Sequence, residues 1–229
     1  MNVTFDLFSA LLDSRSGAAP VFQAIASREG WPVDGDELYA AWDRRHKALQ
    51  ARCRVWRPIT ELGREALAEV LTERELDGDL AAAMTQLWDS LPDWPLWPDS
   101  EQGVRALAPS FGVGLLSNVD DALLARTRAR TLPVAAELVV TSESVRAYKP
   151  SAAIYAAARS LAGPAHVHVA SSARDVRGAL EAGLDTVRLV RPGHTVDPAG
   201  PRPDVEVGGM AELVEHLQES LRRAASQES

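Results

Sequence analysis

A single carboxylate interrupts an apolar run at the start of the chain. Val3, Thr4 and Phe5 read as a short buried strand, Asp6 follows, and Leu7, Phe8, Leu11 and Leu12 continue the apolar character. A desolvated acid is costly unless something compensates its charge, so Asp6 is either a hydrogen-bonded structural group or a nucleophile, ligand or base. Three other strand ends carry polar groups. Ser117 and Asn118 close the run Gly112 to Leu116, Lys149 precedes Pro150 after a third run, and Ser171, Ser172 and Asp175 follow Val167 to Ala170. Taken singly these are bland: Ser117 and Asn118 suit a helix cap, Lys149 a solvated surface, and Asp175 the first turn of a helix. Together they offer two carboxylates, an ammonium and a hydroxyl, a set suited to nucleophilic catalysis with a charge-balanced acid.

Convergence requires a particular frame. From Ser100 the chain alternates helices and short apolar strands: helices at Gln102 to Ala108, Asp120 to Arg130, Ser151 to Leu161 and Asp175 to Ala182, strands at Gly112 to Leu116, Leu138 to Thr141, Val167 to Ala170 and Thr186 to Val190. Strands without polar alternation, separated by helices, imply a parallel sheet covered on both faces, joined by the N-terminal strand. In such a sheet ligands sit beyond the carboxyl ends of the strands, where the polar groups above fall. The fold class expected is therefore α/β, with a Rossmann-like core. Asp13 to Gly17 reads as a polar exit, and helices follow at Pro20 to Arg28, Asp34 to Trp56, Ile59 to Glu73 and Asp79 to Ser90. This all-α insert returns through the proline-rich segment Leu91 to Pro98. The expected organisation is a core of residues 1–13 and 96–229 with an inserted helical domain at 14–95. Arg191 to Pro203 reads as a loop, and Ala211 to Arg223 as a closing amphipathic helix followed by a frayed polar tail.

Composition narrows the classes further. With 46% apolar and 24% charged residues in 229, the chain can bury a substantial core. A net charge of −8 argues against a nucleic-acid partner. The lone Cys53, on an apolar helical stripe, suggests a reducing, cytoplasmic setting and a core role. No run is long enough for a membrane span. His166 and His168 share a strand face without a third ligand at a suitable spacing, so a buried or edge pair is expected rather than a zinc site. Trp88, Trp94 and Trp97 beside the return segment are expected to pack the insert on the core.

Four segments, in order, resemble the motifs of the haloacid dehalogenase superfamily: Phe5-Asp6-Leu7-Phe8-Ser9-Ala10-Leu11-Leu12-Asp13, Leu115-Leu116-Ser117-Asn118, Arg146-Ala147-Tyr148-Lys149-Pro150, and Ser171 to Ala179. The helical insert is similar to that family's cap domain. The resemblance implies a hydrolase in which Asp6 is a covalent nucleophile, Ser117 binds the substrate anion, Lys149 restrains the nucleophile, and Asp175 serves metal or water.

Departures from the pattern bear on the chemistry. Phosphatases of the family carry an acid two positions after the nucleophile and a metal-binding Asp five positions before the final one; here these are Phe8 and Ala170. That pattern implies no metal cofactor, with only weak Mg²⁺ binding if phosphatase chemistry holds. Phe8 and Ser117-Asn118 instead resemble the metal-independent 2-haloacid dehalogenases. In that branch Gly-Thr follows the aromatic and Asn stands three before the last acid, where this chain has Ser9-Ala10 and Ser172. The family's halide-accepting arginine aligns with Asp43, which leaves Arg45 as the nearby substitute. The expected substrate-binding residues are Phe8, Ser117, Asn118, Arg45 and Ser172. The expected ligand is a small organic acid, with neither nucleic acid nor membrane as partner and a homodimer compatible with the chain. Two other readings stay open: a phosphatase with relaxed metal ligation, and a catalytically silent binding or scaffold member.

Overall fold

The computed structural model describes residues 1–227. Six strands form one parallel sheet in the order β3-β2-β1-β4-β5-β6. The chain begins with β1 (Asn2–Phe5), turns through a five-residue π-type turn (Leu7–Leu11), and enters four helices: α1 (Ser14–Glu29), α2 (Gly35–Arg52), α3 (Ile59–Glu73) and α4 (Leu80–Asp89). It returns to α5 (Ser100–Leu107), β2 (Gly112–Ser117), a one-turn α6 (Asp121–Leu124), β3 (Val139–Thr141), a one-turn α7 (Ser142–Val145) and α8 (Ala152–Ala162). The remaining elements are β4 (His166–Ala170), α9 (Ala173–Glu181), β5 (Asp185–Leu189), β6 (Val205–Val207) and α10 (Met210–Gln227). The sheet is the expected Rossmann-like core, and α1 to α4 form a helical cap over it.

Burial explains the architecture. Val3 and Phe5 of β1 are fully buried, as the central strand of a doubly covered sheet requires. Strand order reverses about β1, so the crevice of this fold opens at the carboxyl ends of β1, β2 and β4, above Asp6. In the cap, Phe22 and Ile25 of α1, Leu38 and Trp42 of α2, and Leu62, Leu67 and Val70 of α3 are buried at helical spacing. Gly63 lets this bundle close, because a methyl group there would meet the Trp88 ring at 2.8 Å. Both crossings between core and cap run side by side: Leu12 bridges Leu96, Asp13 N donates to Pro95 O at 2.9 Å, and Trp97 N donates to Leu11 O at 2.9 Å.

The structure departs from the sequence reading at five places. Asp13 to Gly17 is not an exit loop; Asp13 caps α1, accepting from Ser16 N at 3.1 Å, and Gly17 lies against the Trp94 ring. The helix expected from Asp120 to Arg130 stops after one turn and gives way to a 3₁₀ turn, Arg128–Thr131, capped by Thr127. β6 went unread because it is three residues long and carries Glu206 midway, held by Arg188 at 2.5 Å. The closing helix runs on to Gln227, and the end of the expected polar tail lies outside the described residues. Cys53 ends α2 half-buried, packed against the edge of the core instead of within it. Among the described residues no helix is long and apolar enough to cross a membrane.

Candidate active site

The end of β1 delivers Asp6 to the base of a cavity of about 500 Å³ between sheet and cap. Its backbone N–H still belongs to the sheet, donating to Val169 O at 3.0 Å, while its side chain has left the ladder. Asp6 is only 6% exposed, and both carboxylate oxygens have donors: Lys149 Nζ reaches Oδ1 at 2.7 Å and the Ser9 hydroxyl donates to Oδ2. Ser9 can do this because the π-type turn brings it back over the strand end.

Lys149 is buried and uses all three donors, on Asp6 Oδ1, on Leu116 O at 2.8 Å and on Asp175 Oδ2 at 2.6 Å. An ammonium with three anionic or carbonyl acceptors is charged, satisfied and fixed. Asn118 positions it from the main chain, accepting from Lys149 N at 2.7 Å and donating to Lys149 O at 3.2 Å. Burial opposes the charge of Asp175, but Lys149 and His168 outweigh it and hold this carboxyl well below the usual range. Tyr155 Oη donates to Asp175 Oδ1 at 2.9 Å, and Gly178 leaves room for that hydroxyl, since a methyl group there would meet it at 2.5 Å. Asp175 is therefore held toward its anionic form by Lys149, Tyr155 and His168.

Behind Asp175 runs a buried polar chain. His168 Nε2 lies 3.2 Å from Asp175 Oδ2, His168 Nδ1 lies 3.0 Å from Thr4 Oγ1, and Thr4 Oγ1 lies 2.7 Å from His166 Nε2. These contacts form one continuous buried chain from Asp175 to His166, whose donor order is set by the imidazole tautomers. Burial pushes the His166 pKa down to about 4, so its ring is neutral near pH 7. The histidine pair is thus buried as expected, and no cluster of three metal-ligating side chains occurs among the described residues.

The upper wall comes from the cap. Trp42, His46 and Gln50 succeed one another at four-residue spacing on α2 and face the cavity. The His46 ring lies 4.7 Å from that of Trp42, and burial pushes its pKa down to about 4, making it a neutral wall residue. Gln50 Oε1 accepts from Asn118 Nδ2 and from Arg174 Nη2, each at 3.0 Å, so one cap amide ties two core residues. Phe8 packs edge-on to Trp94 at 6.2 Å, and Trp88, Trp94 and Trp97 line the cavity as well as packing cap to core. Trp88 Nε1 is buried without a partner.

Of the expected residues, Asp6, Phe8, Asn118, Lys149, Ser172 and Asp175 meet at this cavity. Ser117 is not among the residues that line it: it is fully buried, and its hydroxyl has no hydrogen-bond partner among the described residues. Arg45 is corrected outright, because it points away to Glu69 at 3.3 Å and to Glu73 on the outer face of the cap. Sequence reasoning missed Ser9 as a partner of Asp6, Tyr155, His168 as a partner of Asp175, Gln50 and Arg174. Gln50 had a legible signal, as the third member of the Trp42-His46-Gln50 row. Tyr155 had none, because it reaches Asp175 from the middle of a packing helix.

A parallel sheet with a helical cap, and a buried acid bound to lysine at the end of the first strand, define a capped, Rossmann-like α/β protein. The family model for haloacid dehalogenase-like hydrolases matches residues 1–183, and the chain belongs to that family. Comparison with curated proteins gives no match. Among solved structures, the L-2-haloacid dehalogenase PA0810 is similar at 26% identity and TM-score 0.78, covering 94% of this chain and 98% of its own. The defluorinating L-2-haloacid dehalogenase Rha0230 is similar at 25% identity and TM-score 0.79, covering 95% and 94%. A Xanthobacter autotrophicus L-2-haloacid dehalogenase with chloropropionic acid covalently bound shares the fold at 20% identity and TM-score 0.78, over 95% of this chain and 98% of its own.

Proposed function

We propose that this hydrolase displaces halide from small 2-halo organic acids without a metal ion, with Asp6 as nucleophile. The observation that carries the reading is the donor set at the strand ends, where Lys149 binds both Asp6 and Asp175. The donor set fits Mg²⁺ poorly, since Phe8 and Ala170 supply no oxygen from their side chains and both acids already serve Lys149. Similarity to L-2-haloacid dehalogenases at 25% and 26% identity supports the substrate class.

In this reading one Asp6 oxygen attacks the halogen-bearing carbon, the carbon–halogen bond breaks, and halide leaves with the electron pair. No acid is needed for that departure, which suits Phe8 where a proton donor would otherwise stand. Whichever oxygen forms the ester, the other keeps a donor, Lys149 on Oδ1 or Ser9 on Oδ2, so the ester carbonyl is polarised for attack by water. The hydroxy acid departs with one proton of that water, and the second is released as Asp6 re-ionises. Asp175, held as an anion, anchors Lys149 throughout instead of cycling its own proton.

The test is turnover of a panel of 2-haloacids and phosphate esters by wild type and Asp6→Asn, with chelator and with added Mg²⁺. The expected result is chelator-resistant haloacid turnover that Asp6→Asn abolishes. Phosphate-ester turnover that requires Mg²⁺, with none of haloacids, would replace this reading with the phosphatase, and no turnover at all would favour a silent binding member.

A further inference from the structure

Four cationic side chains line the cavity: Arg15, Lys47, Lys149 and Arg174. Three are neutralised by carboxylates. Lys149 lies between Asp6 and Asp175, Lys47 is 2.6 Å from Asp43, and Arg15 turns outward to Asp36 at 2.9 Å. Among the described residues Arg174 has only neutral partners at hydrogen-bond distance, donating from Nη1 to Lys47 O at 3.0 Å and from Nη2 to Gln50 Oε1 at 3.0 Å. Burial pushes its pKa down, and Asp175 and Asp43 offset part of that from beyond ion-pair contact. A guanidinium carries five donors in a planar fork, so those two contacts leave N–H groups to spare on a desolvated cation.

We propose that Arg174 is the anion-binding residue of this cavity and holds the carboxylate of the organic-acid substrate. The inference rests on the reading of Asp6 as nucleophile toward such acids, and supplies the residue that recognises them. Other expected candidates are engaged or outside the cavity lining: Arg45 faces Glu69 and Glu73, Ser117 is not among the lining residues, and the Asn118 amide is committed to Lys149 and Gln50. Lys47 O and Gln50 belong to α2, so the cap fixes the orientation of the fork. Two carboxylate oxygens match it geometrically, and a planar bidentate contact orients the adjacent carbon as well as binding the acid.

The competing role for Arg174 is a clasp between α9 and α2, and a clasp is indifferent to the charge of the ligand. The experiment compares 2-chloropropanoate with the neutral 2-chloropropanamide in the full-length wild type, Arg174→Gln and Arg174→Lys. It also titrates propanoate and bromide into each on an Asp6→Asn background. The expectation is that Arg174→Gln raises KM for the acid and the propanoate Kd by about tenfold or more, the usual worth of a charged bidentate contact. KM for the amide should change little, and Arg174→Lys, charged but without the fork, should fall between. Equal losses for acid and amide would make Arg174 a clasp and overturn the proposal. Loss of bromide binding with propanoate binding intact would overturn it in favour of a halide cradle. If wild type turns over neither chloro compound, the reading of the reaction fails, and propanoate decides Arg174 alone: binding that depends on Arg174 sustains the proposal, while binding that does not, or is absent, ends it. Should Arg174→Gln not fold, the acid-to-amide ratio in Arg174→Lys decides on the same criteria.

Discussion

Lys149→Met keeps the length of the side chain and removes its cation, isolating what the charge does. The ammonium is 3% exposed and lies 2.7 Å and 2.6 Å from carboxylates that are 9% and 2% exposed. Each contact is worth about 6 kcal/mol of Coulomb attraction at an effective dielectric near 20, before the desolvation of all three groups is subtracted. Removing one partner of a buried pair leaves the other charge uncompensated, and the expected loss of stability is about 3–5 kcal/mol at pH 7. The pH dependence follows from the sign of the shifts. Lys149 and His168 hold the Asp175 carboxyl below its ordinary value, so its contribution is present above the unfolded pKa, near 4, and is lost as pH falls toward the folded value. In Lys149→Met the two acids face each other in a dry site, which favours their protonated forms and reverses that dependence. The gap between wild type and variant should therefore be widest at pH 7 and narrow toward pH 4. Urea unfolding across that range, with m-values checked for constancy, measures it. A gap below about 1 kcal/mol at pH 7, the size of an exposed ion pair, or one that does not narrow in acid, would refute the buried bridge.

Two other perturbations test the surroundings of the site. His46 and His166 are buried with pKa values pushed down to about 4, so each contributes stability present above the unfolded pKa of about 6.5 and lost as pH falls to 4, up to about 3 kcal/mol apiece. His46→Gln should flatten the curve of urea midpoint against pH in that window, and an unchanged slope would mean that the ring is solvated. Gly178→Ala would put a methyl group 2.5 Å from Tyr155 Oη and 2.8 Å from Pro150 Cβ. It should lower kcat by disturbing Tyr155, Asp175 and the turn that carries Lys149, whereas activity and stability equal to wild type would show that the hydroxyl contact is dispensable.

What the sequence revealed and concealed follows from range. The sheet was legible because its strands are continuous apolar runs whose burial is encoded locally, as in Val113 to Leu116 or Val167 to Ala170. The acids and the lysine were legible because they sit at strand ends, where this topology gathers polar groups. Contacts from helix interiors were not. Tyr155 and Arg174 look like packing and surface residues until α8 and α9 are docked, and Arg45 looked well placed because its position along α2 is right while its face is wrong. Helix phase at residue 45 is decided by which side of α2 meets α1 and which meets the core, a tertiary fact.

The same tertiary arrangement links the cap to the groups around Asp6. Gln50 accepts from Arg174 on one side and from Asn118 on the other, and Asn118 brackets the main chain of Lys149 with two hydrogen bonds. A cap helix therefore reaches the main chain of Lys149 through Gln50 and Asn118. If the cap moves on α2, Arg174 and Asn118 lose their shared Gln50 partner together, which couples the orientation of the Arg174 fork to the bracket around Lys149. Asp120 extends the coupling to α3, accepting from Ile59 N through both oxygens at 3.0 Å and 3.1 Å, while burial raises its pKa. Core carboxylate and amide groups thus hold the ends of two cap helices over one cavity, which makes docking of the cap a condition for assembling the site as well as a cover that excludes water.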